Sequence, residues 1–179
     1  MTAPARTAII GLGNPVRGDD GVGLVVASQV RNLLATRPVE DVVVRLVERA
    51  GFELIEVMAN AHNAVIIDCL DVPSPVPGRV RILTAADVRG SARLTGGHDI
   101  GLGVALELGG LLGIRMPESV VVVGIEGGDT SLLREDLTAE VALTASRVAE
   151  WLHQGLRLGL RHELARYVER QCASASDLP

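Results

Sequence analysis

One stretch constrains the fold more than any other: Ile9-Ile10-Gly11-Leu12-Gly13-Asn14-Pro15-Val16-Arg17-Gly18-Asp19-Asp20-Gly21-Val22-Gly23. An apolar run enters it, and an amphipathic helical pattern leaves it. A strand, a glycine-rich turn and a helix in that order carry their loop to the carboxyl edge of a sheet, where open α/β folds hold their ligands. The glycines permit positive φ and close backbone approach. Asp19 and Asp20 put charge at the mouth of the loop, and either can cap the first free amides of the helix that follows.

The remaining segments repeat the alternation. Thr7 to Leu12 reads as a buried strand, and Val22, Val25, Val26, Val30, Leu33 and Leu34 fall at helical spacing. Val42 to Val47 is β-branched and predicts a second strand, after which Gly51 opens a helical stretch bearing Leu54, Ile55, Val57 and Met58. Ala64 to Asp68 is a third buried strand that ends on an acid. Asp71 to Gly78 is a proline loop, and Arg79 to Leu83 alternates like an edge strand. Thr84 to Gly97 is polar, with Gly96 and Gly97 directly before His98. Leu102, Ala105, Leu106, Gly109 and Leu112 mark a third helix with Gly113 as its stop. Val120 to Glu126 predicts the last strand, and Leu137 to Leu152 a long helix that Gly155 and Gly159 break or bend.

Strands alternating with helices predict a mostly parallel sheet of about five strands covered on both faces, a three-layer α/β/α sandwich. The expected domain is single, 1–179, with a core over about 8–152 and a helical extension over about 156–172. The stripe of that extension, Leu160, Leu164, Tyr167 and Val168, packs either on the core or on a partner.

Composition narrows the function. Aromatic residues are 2% of the chain, too few for the stacking platforms of single-strand nucleic-acid binders, and the net charge of -5 offers no basic footprint for phosphates. Cys69 and Cys172 form no C-x-x-C pair, so they read as reduced thiols rather than a zinc or redox motif. No run approaches the ~18 apolar residues of a membrane span, and the first residues lack a signal-peptide layout. These features point to a cytoplasmic protein with no nucleic-acid or membrane partner.

The expected site gathers polar groups at the carboxyl edge. Gly11-Leu12-Gly13 begins like a dinucleotide fingerprint, but Val16 stands where the third glycine belongs, and no Walker motif follows. Asp19 and Asp20 follow the first strand, Asp68 ends the third, His98 precedes the third main helix and Glu126 ends the last strand. Carboxylates and one imidazole from separate loops suit a borderline divalent metal such as nickel or zinc. Glu126 has an alternative role in orienting the Gly127-Gly128 turn, whereas His62, His153 and His162 lie on or beside helical patterns and read as structural.

Four segments in order resemble the nickel–iron hydrogenase maturation proteases. They are Gly11-Leu12-Gly13-Asn14 with Asp19-Asp20-Gly21-Val22-Gly23; Val65-Ile66-Ile67-Asp68; Gly97-His98-Asp99-Ile100-Gly101-Leu102; and Val123-Gly124-Ile125-Glu126-Gly127. The resemblance spans about Ala8 to Leu152. It implies an endopeptidase that removes the C-terminal extension of a hydrogenase large-subunit precursor after nickel insertion, with the bound metal as signal. By position, Asp20, Asp68 and His98 become the metal-contacting and catalytic residues. The nickel arrives on the precursor, another divalent ion can stand in for it in vitro, and the enzyme is a monomer or weak oligomer.

The first acid is often Glu in that family, so Asp20 is one methylene shorter and Asp19 is the fallback. Glu48-Arg49-Ala50-Gly51 keeps only Ala50-Gly51 of an Asp-Gly-Gly-Thr-like turn found in some branches. Two rival readings remain. One is a metal-binding assembly chaperone that does not cut. The other is a peptidyl-tRNA hydrolase-like hydrolase, which shares Gly11-Leu12-Gly13-Asn14-Pro15 but needs a tyrosine and a His-Asn pair that Val16 to Gly23 lacks.

Overall fold

The computed structural model describes residues 7–48, 51–84, 87, 101–130, 133–161 and 163–176. The strands are β1 (Thr7–Leu12), β2 (Val42–Val47), β3 (Asn63–Leu70), β4 (Val80–Thr84) and β5 (Ser119–Glu126). They form one sheet in the order β2-β1-β3-β5-β4, parallel throughout except for β4, which runs antiparallel to β5 at the edge. The helices are α1 (Val22–Thr36), α2 (Phe52–Met58), α3 (Leu102–Leu111), α4 (Ala139–Arg157) and α5 (Leu164–Ser176).

Two apolar layers flank the sheet, which confirms the predicted sandwich. On one face Ile9, Val65, Ile67, Val123 and Ile125 meet Val26 and Val30 of α1 and Val148 and Leu152 of α4. On the other, Ile10, Ile66 and Val122 meet Leu54 and Met58 of α2 and Leu102 and Ala105 of α3. The alternation of strand side chains between the faces explains why the central strands read as unbroken apolar runs: both faces are covered. Gly113 stops α3 as expected, with φ +71.

The extension packs on the core. Leu164 and Val168 of α5 are buried in the layer that holds α4. Gly155 does not break α4, which continues to Arg157. A side chain at Gly155 would run into Leu164 and Tyr167, so the missing Cβ lets α5 approach closely. Gly159, at φ +74, makes the turn between the two helices.

A second expectation needs correction. Neither Asp19 nor Asp20 caps α1: its N-cap is Gly21, with no side-chain cap hydrogen bond. Residues Gly18–Gly21 instead form a 3₁₀ turn that carries both aspartates ahead of the helix.

Candidate active site

The site starts from close backbone contacts. A Cβ on Gly23 would strike the carbonyl oxygens of Leu12 and Ile67, and one on Gly11 would strike Gly23 and Ala27. Bare glycines at these positions let the start of α1 lie against the ends of β1 and β3. Gly13 has φ +147, and a side chain there would collide with the Asp20 carbonyl oxygen. The glycine pattern in the sequence is therefore a record of how tightly the Asp20 turn folds over the sheet.

Asp20 and Asp68 come together in this fold, near enough for their charges to interact. Asp68 lies on β3 opposite Gly124, and the strand continues past it to Leu70. It therefore sits two positions inside the strand rather than at its end. Its carboxyl is ringed by protein although the residue keeps some exposed surface. Burial pushes its pKa up to about 7, against the Cys69 amide that donates to it at 2.9 Å, and the Asp20 charge pushes the same way. Asp20 is also raised. Burial is the main cause; the Arg17 charge and the Asn14 amide oppose it, and Asp71 adds to it. Two carboxyls that both resist ionisation and repel one another suit a cation or a shared proton.

Asp68 also lines a small recess with Leu12, Leu54, Ile66, Leu102 and Val122. Leu102 is the first residue of α3. The third expected ligand, His98, lies outside the described residues, as does His162. Among the described residues no group of three or more His, Cys, Asp or Glu is arranged to hold a metal.

Asp19 has a different task from the one its position in the sequence suggested. Its carboxylate is fully buried and accepts from the amides of Gly128 at 2.8 Å, Asp129 at 3.0 Å and Thr138 at 2.7 Å. The Thr138 hydroxyl donates a fourth bond at 3.0 Å. Two further backbone links, Gly18 N–H to Arg134 O and Asp19 N–H to Asp129 O, join the same segments. The turn that bears Asp20 is thus fastened to the loop leading into α4.

Glu126 is buried at the end of β5 and faces the proline loop rather than Asp68's partners. It accepts from the Val76 amide at 2.7 Å and from Arg81 Nε at 2.6 Å. Burial pushes its carboxyl up, but the Val76 amide, the Arg81 hydrogen bond and the charges of Arg81 and Arg79 outweigh it, so the net shift is downward. It orients residues 76–81, not the Gly127-Gly128 turn. Burial, together with the charges of Asp68, Asp20, Asp19 and Asp71, holds the Cys69 thiol far above the usual range, which makes it inert as a nucleophile.

The other described histidines are structural. His62 meets Arg115 at 2.8 Å just before β3, at the amino end of the sheet, and the buried His153 ring donates to Arg37 O at 2.9 Å.

The sheet order, the two covering layers and the carboxylate pair define an α/β protein whose architecture is shared with known endopeptidases. The [NiFe] hydrogenase maturation protease HycI from Thermococcus kodakarensis KOD1 has a TM-score of 0.66 at 24% identity, covering 86% of this chain and 93% of that one. The hydrogenase maturating endopeptidase HybD from E. coli has a TM-score of 0.69 at 22% identity with the same coverage. HybD from Thermococcus kodakarensis gives 0.60 at 23%, covering 83% and 97%. At these identities the likeness shows the fold. A comparison with curated proteins by sequence gave no match. A family model for hydrogenase maturation proteases matches residues 31–154. The chain belongs to the hydrogenase maturation protease family.

Proposed function

We propose that this protein cuts the C-terminal extension from a nickel–iron hydrogenase large-subunit precursor once nickel is in place, and that Asp20, Asp68 and His98 read the metal. The observation that carries this reading is the Asp20–Asp68 pair, two carboxyls from different elements at the carboxyl edge, both raised chiefly by burial, with the Asp20 charge adding to the rise at Asp68. The covalent chain supports the third member. Leu102, which lines the recess beside Asp68, comes four positions after His98, so the backbone between them can span at most about 14 Å.

Nickel enters as part of the substrate and, as a Lewis acid, polarises a carbonyl and lowers the pKa of water. Asp20 and Asp68 supply anionic oxygen donors, and His98 supplies imidazole, a set that suits a borderline divalent ion. Binding a cation removes the repulsion between the carboxyls and displaces the proton that Asp68 holds near neutral pH.

A second mechanism within the same function has its own support. With a pKa of about 7, Asp68 can keep a proton while Asp20 is ionised, as in carboxyl pairs that activate water without metal. Mass spectrometry of the precursor's C-terminus decides the matter after incubation with nickel-loaded and nickel-free precursor. Cleavage of the loaded form alone supports the metal-read mechanism. Equal cleavage of both supports the carboxyl pair. Stable complex formation with an unchanged mass replaces the protease with a chaperone. The cytoplasm is the proposed compartment, in keeping with a precursor processed during assembly.

A further inference from the structure

A groove of about 830 Å³ runs along β4, bounded by the proline loop, by Thr144, Arg147 and Trp151 of α4, and by the last turns of α5. It starts close to the carboxyl edge. A Cβ on Gly128 would meet Pro77 on one side and the Asp19 carboxylate on the other, so one residue separates the head of the groove from the fastened turn that bears Asp20.

The hydrogen bonds at the start of β4 fix which of its backbone groups face this groove. Val76-Pro77-Gly78-Arg79 is a type II turn, with Pro77 in second place, Gly78 at φ +81 and the Arg79 amide donating to Val76 O at 2.9 Å. Gly78 N–H then donates to Glu126 O, and Glu126 N–H donates to Arg79 O, both at 2.9 Å. Two residues against one, with glycine first at positive φ, make a G1 bulge. Because Arg79 is paired with Glu126, the antiparallel alternation pairs Arg81 with Gly124 and Leu83 with Val122. Val80, Ile82 and Thr84 therefore turn their N–H and C=O groups away from β5. The Thr84 amide is taken by Asp87 at 2.7 Å. The outward groups of Val80 and Ile82 have no partner shown among the described residues. Such an edge is a template for another strand.

The surrounding charge selects among extended chains. Arg79, Arg81 and Arg147 line the groove against one lining carboxylate, Glu169, while the buried Glu126 holds part of the Arg79 and Arg81 charge. The excess is positive in a protein whose net charge is -5. An acid-bearing peptide is the complement.

We propose that the edge of β4 turned away from β5 takes an extended, acid-bearing segment of the precursor as an added strand, led away from the cut through this groove; this rests on the protease reading. Main-chain pairing supplies the affinity, so recognition tolerates sequence changes at positions facing solvent. The bulge and the Glu126–Arg81 bond anchor the start of β4 to the end of β5, so the segment starts on the same edge of the sheet as the carboxylate pair.

Trp151 is the chain's one tryptophan and lines the groove, so its fluorescence reports occupancy. The probes are short tryptophan-free peptides with Asp or Glu at alternate positions, either unmodified or N-methylated on one of the two alternating sets of amides. A strand pairs through only one set. The expected result is a saturable Trp151 signal, with one methylated peptide weakened about tenfold or more and the other binding like the parent. Arg147→Glu should weaken the acidic peptide and strengthen a lysine-bearing version. Equal binding by both methylated peptides, or no signal at any concentration, overturns the docking. Cleavage of the nickel-loaded precursor in the same preparation separates the two claims. Cleavage without any register effect removes the groove and leaves the protease, whereas a register effect without cleavage leaves the groove and removes the protease.

Discussion

Asp19 and Thr138 are joined twice: the Thr138 amide donates to Oδ1 at 2.7 Å and its hydroxyl to Oδ2 at 3.0 Å. With the Gly128 and Asp129 amides, every donor on this buried carboxylate comes from the far side of the chain. Asp19→Ala would strand three backbone amides. Unmet buried donors cost about 1–3 kcal/mol each, so a loss of roughly 3 kcal/mol is expected after partial relaxation. Urea unfolding measures it. A loss under ~1 kcal/mol, the scale of a simple helix cap, would show that the clamp matters little. Processing should fall with stability, because the same turn carries Asp20. Thr138→Ser keeps both bonds and should retain most of each.

Asp68 should trade stability for function. Its folded pKa of about 7 lies above the ordinary value of 3.8. Between those values the folded state keeps a proton that the unfolded chain has lost, so stability falls as pH rises through this window. Metal-free protein should melt at a higher temperature near pH 5 than near pH 7.5, apart from contributions of other groups. Asp68→Asn should remove that part of the slope, raise the melting temperature at pH 7.5 and abolish processing. Calorimetry of both proteins across pH checks it, and a variant less stable at every pH would count against the desolvated carboxyl.

Glu126 has the opposite sign. Its carboxyl is held below the ordinary value, so its stabilisation is present above the unfolded pKa and disappears as pH falls through the lower folded one. Glu126→Gln weakens the bonds to Arg81 and Val76, at an expected cost of roughly 1–3 kcal/mol at neutral pH. Wild type and variant should converge in acid, which pH-dependent unfolding would reveal.

Asp20→Asn and His98→Ala should each reduce processing roughly 10²-fold or more, the scale of a lost acid–base or metal-orienting group. Circular dichroism should stay native for both. Asp20→Glu keeps the carboxylate on a side chain one methylene longer and should retain activity. Near-normal processing by the His98 variant would move the site elsewhere.

Gly23→Ala tests the close contact beneath the site. The added methyl meets the carbonyl oxygens of Leu12 and Ile67, which cannot rotate aside as a side chain would. Overpacking of this kind costs about 1–3 kcal/mol, and here it should also shift α1 and with it Asp20. Thermal unfolding and processing assays should both register the change.

The fold was legible because its signals are local. Val120 to Glu126 and Ala64 to Asp68 are short apolar runs closed by turns, and Val141, Ala145, Val148 and Leu152 recur at helical spacing. That acids from the first loop and the third strand gather at the carboxyl edge was also within reach, but the choice of Asp20 over Asp19 came from the family resemblance, and Asp68 proved to lie inside its strand rather than at the end. The role of Asp19 was not legible. An aspartate just before a helix reads as a cap, and the donors that claim it lie about a hundred residues away. Glu126 hid its partners for the same reason: Val76 and Arg81 meet it only across an antiparallel edge. Gly155 read as a breaker because nothing nearby shows Leu164 and Tyr167 arriving over it.

The strand order carries a consequence for synthesis. Among the described residues β4 pairs only with β5, which is translated after it. During elongation residues 80–84 leave the ribosome with no neighbour to zip against and must wait until residue 126 follows. The rim beside the cleft is therefore assembled late, and a nascent chain cut short before β5 would leave β4 without the partner strand that the finished sheet gives it.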